Sequence, residues 1–368
     1  MPNLRITKFF DSTFSGKGAK LVLLNRGLKS LPNESRYFQW EYCALKSLPS
    51  SFCPENLVEL RLSNSSVEQL WNGDQVSFNI FSFLYYTICL EFSHIYIYIF
   101  TFLAQNIVNL RVLDLRYCEN LTRIPDLSTA INIEKLLIDG CKSLVELPSM
   151  IHLKSLHRYQ DVKSCENLKK FPEFPQHIEW LFLEDTAIEE IPESIGHLHL
   201  LKYLFLSHSR VKTVSRNICK LESLENFHLG DCPIVLFPEV PRNLKGLYLP
   251  GNQIEEVPSS IGCLKQLARL DMTGSRIHNL PSTIIQLDGL DEIYLCDCPN
   301  ITNFPNVPEN IKALRLDNTP IEKVPSSILR LKSLCCLCIA GCTRLISLPT
   351  GICKLNLFDG FISMALQT

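Results

Sequence analysis

The 368-residue chain has no excess of charge of either sign, because 36 Lys and Arg stand against 38 Asp and Glu for a net charge of -2. A polybasic footprint for nucleic acid or for an anionic membrane surface is therefore missing. The N-terminus, Met1-Pro2-Asn3-Leu4-Arg5-Ile6, lacks the unbroken apolar core of about 7 to 15 residues that a secretory leader needs. No Gly-x-x-x-x-Gly-Lys-Ser/Thr phosphate loop occurs, since Gly16-Lys17-Gly18-Ala19-Lys20 has neither the spacing nor the hydroxyl. The nine histidines are scattered, with His197 and His199 expected on a return segment, and show no Ser-His-Asp or Cys-His order. A non-catalytic protein is expected.

What is abundant is leucine in a fixed register. A leucine-type residue is followed three and five positions later by two more apolar residues, and the block restarts about 23 residues on. Blocks begin at Leu57, Leu110, Ile133, Ile178, Leu201, Leu224, Leu244, Leu267, Leu290, Ile311 and Leu334. A degenerate block begins at His157, where Gln160 and Val162 hold the strand positions. This period predicts an α/β leucine-rich-repeat solenoid, with a curved parallel sheet on the concave side and short helices, turns and extended returns on the convex side. Such a fold grows by adding coils, so one elongated domain is expected.

Leu244-Lys245-Gly246-Leu247-Tyr248-Leu249 shows how a coil works. Leu247 and Leu249 lie two apart and point inward from one strand, leaving Gly246 and Tyr248 outward. Pro258 then ends the regular backbone, and Ser259-Ser260-Ile261 begins the return. A second rhythm is superimposed: Phe171-Pro172-Glu173-Phe174-Pro175 recurs as Phe237 to Pro241 and Phe304 to Pro308. Paired prolines favour extended backbone there instead of a helix.

The chain holds 16 cysteines, but Cys118, Cys141, Cys165, Cys232, Cys298 and Cys342 all fall eight residues after a block start. Other coils put Asn252, Thr186, Thr319, Ser65, Ser209 or Ser275 in that place. This is a repeat signature of small polar groups at a tight turn, and not a pairing plan. A reducing compartment follows, cytoplasm or nucleus. Cys335, Cys336, Cys338 and Cys342 do not form a zinc site, because alternate strand positions face opposite ways. The Asn-x-Ser/Thr sites at Asn33, Asn64, Asn120 and Asn300 are short enough to arise by chance.

Residues 76–105 break the pattern. They form an apolar and aromatic run with one formal charge, Glu91, and the first block step exceeds the usual 23 by 30, the length of the run. A single membrane crossing would carry Gln75 and Asn106 about 30 Å apart, whereas neighbouring coils stack at about 5 Å. The segment reads as a retained intron translated in frame, opened by Val76 and closed by Gln105, in preference to a membrane-binding loop or a packed insertion. The expected organisation is 1–56 irregular leucine-rich coils, 57–75 and 106–356 solenoid, 76–105 insertion, and 357–368 tail.

Several stretches resemble one family in particular. They include Leu45-Lys46-Ser47-Leu48-Pro49-Ser50-Ser51-Phe52, Pro54-Glu55-Asn56-Leu57-Val58-Glu59-Leu60, Val67-Glu68-Gln69-Leu70-Trp71, Ile124-Pro125-Asp126-Leu127-Ser128 and Ile188-Glu189-Glu190-Ile191-Pro192. Together with the later repeats they look like the leucine-rich-repeat region of plant TIR-NB-LRR disease-resistance proteins, intracellular immune receptors. The family's TIR and nucleotide-binding domains have no counterpart here, so the chain reads as a fragment, and ADP or ATP would belong to the missing domain. The resemblance implies protein recognition within an innate-immune receptor. The partner would be a pathogen effector, a guarded host protein, or the receptor's own nucleotide-binding domain held in restraint. An extracellular receptor ectodomain and a non-catalytic adaptor are the alternatives.

The outward position between the two strand leucines would line the concave face. Read coil by coil it gives Arg61, Asp114, Leu137, Asp161, Phe182, Phe205, His228, Tyr248, Asp271, Tyr294, Arg315 and Cys338. The aromatic track from Phe182 to Tyr248, continued by Asp271, Tyr294 and Arg315, is the expected protein-binding surface. The plain alternative is that these rings cover one another.

Overall fold

The computed structural model describes residues 6–9, 35–49, 52, 55–70, 107–352 and 355. The insertion 76–105, the tail 357–368 and much of 1–56 lie outside the described residues. The chain groups into two compact units, Met1–Ile178 and Glu179–Thr368. Coils of a solenoid touch chiefly their nearest neighbours, so a subdivision needs no linker.

In the first unit five short strands pair in parallel and in chain order: β1 (Ile6–Phe9), β2 (Tyr37–Trp40), β3 (Glu59–Arg61), β4 (Val112–Asp114) and β5 (Lys135–Leu137). Leu60 stands beside Leu113, and Leu113 beside Leu136. β3 and β4 are direct neighbours although Arg61 and Asp114, which face each other, are 53 residues apart in sequence. Asn109 Nδ2 donates to the Glu55 carbonyl at 2.8 Å and the Leu62 amide to the Asp114 carbonyl at 2.8 Å, just as one coil on Asn132 Nδ2 donates to the Val108 carbonyl and the Leu115 amide to the Leu137 carbonyl. The β1 to β5 ladder stops before β6 (Tyr159–Asp161), the strand of the degenerate coil. There Gln160 takes a leucine's place and is 3% exposed. Its amide donates to the His157 and Tyr159 carbonyls at 2.8 and 2.7 Å, which is how a polar group is tolerated in that slot.

The second unit contains, in chain order, β7 (Trp180–Phe182), β8 (Glu190–Ile191), β9 (Tyr203–Phe205), β10 (Thr213–Val214), β11 (Asn226–His228), β12 (Gly246–Tyr248), β13 (Arg269–Asp271), β14 (Glu292–Tyr294), β15 (Ala313–Arg315) and β16 (Cys336–Cys338). β8 and β10 pair with each other on the return side. The other strands form one parallel ladder with no slip: Leu181, Leu204, Phe227, Leu247, Leu270, Ile293, Leu314 and Leu337 stand in register. All eight are fully buried. A shift by one residue would turn this whole row to solvent, so the alternation itself fixes the pairing.

The short helices of the returns are 3₁₀ turns: Glu193–His197, Arg216–Lys220, Ser259–Cys263, Ser282–Gln286 and Ser326–Arg330. Four begin after a proline, whose extended backbone and missing N–H suit the position before a helix. Each buries one isoleucine, Ile195, Ile218, Ile261, Ile284 or Ile328, under the strands. The three coils with paired prolines have no helix, as their sequence implied.

Seven residues after every block start from Leu57 onward the backbone is left-handed, with φ between 54° and 75°. Asn, Asp and Gly hold most of these places, where left-handed backbone costs least. The next residue turns into the core, and in six coils it is cysteine. Each thiol donates to a carbonyl of the preceding coil: Cys118 to Leu62 at 3.0 Å, Cys141 to Leu115 at 3.1 Å, Cys165 to Ile138 at 3.4 Å, Cys232 to Leu206 at 3.2 Å, Cys298 to Met272 at 3.3 Å, and Cys342 to Leu316 at 3.2 Å. Burial pushes the Cys118 thiol up to about 11 and Cys165 to about 12. Thiolate is the reactive form. In the native protein iodoacetamide is therefore expected to label the exposed Cys219 and Cys263 while these six stay unmodified until denaturant is added. Peptide mapping by mass spectrometry reads this, and native labelling of Cys141 would contradict it.

One residue after the block start, charge alternates. The run is Arg111, Glu134 and Arg158 in the first unit, and Glu179, Lys202, Glu225 and Lys245 in the second, resuming after Ala268 with Asp291 and Lys312. Neighbours in the column pair across one coil: Arg111 with Glu134 at 3.0 Å, Lys202 with Glu179 at 2.8 Å, Lys245 with Glu225 at 3.0 Å and Lys312 with Asp291 at 2.9 Å.

Candidate protein-binding face

Because the inward row is apolar, every second strand residue is left on the open face of the sheet, and parallel strands set equivalent positions about 5 Å apart. Flat rings at that spacing stack. Phe182 and Phe205 lie 4.6 Å apart at 7°, Phe205 and His228 4.3 Å apart at 27°, and His228 and Tyr248 3.9 Å apart at 8°. The four rings form one continuous ladder, each half-buried by its neighbours. Burial between Phe205 and Tyr248 lowers His228 to about 4, so its imidazole is neutral at physiological pH.

A second row, two residues earlier in each strand, lies on the same face, and the sequence reading above did not single it out. Trp180 stacks on Tyr203 at 3.6 Å and 11°. Gly246 holds the corresponding place beside Tyr248. A Cβ there would run into the Asn226 side-chain oxygen and come within 2.7 Å of the Tyr248 ring, so glycine makes room for the ring to lie on His228. The period-two alternation that selected Tyr248 also selects Gly246, Arg269 and Glu292, and reading both outward positions would have found the row.

Beyond Tyr248 the face becomes charged. Arg269 donates to the Tyr248 hydroxyl at 3.3 Å and forks onto Glu292, Nε to Oε2 at 2.7 Å and Nη2 to Oε1 at 2.9 Å. The Tyr294 hydroxyl donates to the same carboxylate, and the Arg315 guanidinium lies 5.0 Å from the Tyr294 ring centre. The Arg269 hydrogen bonds hold Glu292 below the usual carboxylate range, while burial, followed by the bond to Glu292, lifts Tyr294 to about 12. Asp271 is turned back on its own chain and accepts from the Thr273 amide at 3.0 Å. Of the expected surface, Phe182, Phe205, His228 and Tyr248 are thus one ladder, and Tyr294 and Arg315 join it through Arg269 and Glu292.

The outward row of the first unit is different. Asp114 is 1% exposed and is held by Arg116, at 2.9 and 2.8 Å, and by Arg61 at 3.4 Å. Asp161 pairs with Lys163 at 3.2 Å. Among the described residues no three His, Cys, Asp or Glu side chains converge to hold a metal ion, and no helix is long and apolar enough to cross a membrane.

No family model matches the chain. Among curated proteins it is similar to disease resistance protein RPS6 of Arabidopsis thaliana, 31% identical over 382 aligned residues that take in 97% of this chain and 29% of RPS6. Protein SUPPRESSOR OF npr1-1, CONSTITUTIVE 1 of the same plant is 31% identical, with 88% of this chain and 24% of that protein covered. Disease resistance-like protein DSC1, also from Arabidopsis thaliana, is 30% identical with 100% and 31% covered. The chain spans less than a third of the length of each of these relatives. Among solved structures, a leucine-rich-repeat protein of Leptospira interrogans matches 90% of this chain and 92% of its own at 22% identity and a TM-score of 0.49. The leucine-rich repeat domain of the type III effector XopL matches 51% and 68% at 25% identity and a TM-score of 0.46. With its strand ladder, its repeat turns and the Arabidopsis thaliana relatives, the chain belongs with the leucine-rich-repeat regions of plant disease resistance proteins.

Proposed function

We propose that the chain is the protein-recognition module of an intracellular plant immune receptor of the TIR-NB-LRR class, and that the aromatic ladder with its charged continuation is the surface that recognises the partner. The partner is a pathogen effector, a guarded host protein, or the nucleotide-binding domain of the same receptor. ADP and ATP belong to that domain, and this chain works without a cofactor. The observation that carries the reading is the Phe182–Phe205–His228–Tyr248 stack. Rings already locked against each other lose little freedom when a partner covers them, so the contact area they offer is retained as affinity. The flanking Arg269, Glu292 and Arg315 give such a surface polarity and orientation. Relatives named disease resistance proteins support the setting. The turn thiols support a reducing compartment, cytoplasm or nucleus, because each acts as a hydrogen-bond donor that oxidation would remove.

The mechanism is differential binding: a ligand that favours the unrestrained receptor shifts the population towards the active state. The test is a two-hybrid screen of this chain against secreted pathogen proteins, with affinities of the captured proteins measured on purified material. Phe205→Ala or Tyr248→Ala is expected to weaken capture about tenfold, on the order of 1.4 kcal/mol. Unchanged affinity in the combined Phe182, Phe205 and Tyr248→Ala variant, with an unaltered circular dichroism spectrum, places recognition elsewhere.

A further inference from the structure

Strand β16 carries two half-buried cysteines on the open face, Cys336 and Cys338, with Sγ atoms 3.6 Å apart. The neighbouring sulfurs do not join them. Cys335 turns away and donates to the Ser333 carbonyl at 3.1 Å, and Cys342 fills the turn slot against the Leu316 carbonyl at 3.2 Å. Arg315 stands beside Cys338 in register on the adjacent strand. The pair plays no part in the stacking or the ion pairs of the recognition face.

The spacing distinguishes what the pair can do. Residues two apart on a strand have Cα atoms about 6.6 Å apart, at the far end of the roughly 4.4 to 6.8 Å that disulfides span. Direct S–S closure would also have to draw the sulfurs from 3.6 Å to about 2.05 Å. Two sulfurs bonded to one centre at about 2.3 Å lie about 3.3 to 3.8 Å apart for bond angles from about 90° to tetrahedral. The observed separation matches a single bridging atom without movement of the backbone. Protonation selects among bridging atoms: burial raises the Cys338 thiol to about 11, and a divalent cation would have to displace both protons. A trivalent arsenic oxide carries the oxygen that accepts both. An arsenic(III) oxide R–As=O condenses with two thiols to R–As(SR′)₂, forming two As–S bonds. Both S–H protons leave with the arsenic oxygen as water, and no electrons change hands.

We propose that Cys336 and Cys338 form a two-thiol binding site for trivalent arsenicals on the open face of the sheet. Occupation places the arsenical beside Arg315 at the charged end of the recognition face.

The probe is phenylarsine oxide added to the full chain, followed by excess mercaptoethanol, which strips adducts held by one sulfur but not by two. Intact-mass spectrometry under native conditions is expected to show one retained phenylarsenic group per chain. That group is lost in Cys336→Ser and in Cys338→Ser, is kept in Cys335→Ser and Cys219→Ser, and is removed from the native protein by ethanedithiol. A group that survives in both Cys336→Ser and Cys338→Ser overturns the site. So does failure of the native protein, shown folded by circular dichroism, to retain any arsenical. Neither result bears on partner recognition by the aromatic ladder.

Discussion

Phe227→Ala should lower the stability of the second unit by about 3 to 5 kcal/mol, the cost of truncating a fully buried aromatic that cannot be refilled. Phe227 is 0% exposed and takes a leucine's place at the centre of β11, with Leu204 beside it on one strand and Leu247 on the other. Both neighbours are themselves fully buried and fixed by the ladder, so neither can move into the space without giving up strand pairing. Urea denaturation followed by circular dichroism measures the change, with Ile285→Ala as the control. Ile285 is 53% exposed on a return turn, and its loss should stay within about 0.5 kcal/mol. A Phe227→Ala cost below about 1 kcal/mol would mean that the coils relax around a cavity, and would contradict the close-packed row.

His228 should make the stability of the same unit fall in acid. Burial between two rings holds its folded value near 4, against 6.5 for the free imidazole. Between those pH values the unfolded chain binds a proton that the folded chain excludes, so stability is undiminished above pH 6.5 and declines as pH falls towards 4. The full displacement is worth about 3 kcal/mol, and solvent at the exposed ring edge reduces this to about 2. His228→Phe keeps a flat ring in the stack and removes the proton. Denaturation midpoints at a series of pH values should therefore diverge, with the native protein losing about 2 kcal/mol relative to the variant on going from neutral to pH 4. Parallel curves would show that the imidazole titrates normally and is not enclosed.

The strand ladder was open to reading because it depends on a period. The block at Leu224 sends Phe227 and Leu229 inward and leaves Asn226 and His228 outward by alternation alone, and both inward residues are fully buried. Adjacency of the Leu57 and Leu110 coils followed from the same register, and the β3 to β4 pairing shows it. Even the His157 coil was recognisable, though nothing in its sequence says that the Gln160 amide would be satisfied by its own coil's carbonyls. For the surface, the period names a face but not a side-chain torsion. It could select Phe182, Phe205, His228 and Tyr248 without deciding whether they stack, and the partner of each turn thiol depends on how high the previous coil sits. Arg269 and Glu292 were missed because only one of two outward positions was followed.

The alternating charge beside each strand has a period of two coils, while the leucine pattern repeats with every coil. Excising one coil would seat Glu179 against Glu225, or Lys202 against Lys245, although the apolar core would close again without a gap. Each such contact is worth only a few tenths of a kcal/mol, and only the one at the new junction changes sign, because the coils on either side keep their own alternation. From Glu179 to Lys245 the column thus acts as an electrostatic parity check: shortening or duplication within that stretch by even numbers of coils is neutral, and by odd numbers is penalised.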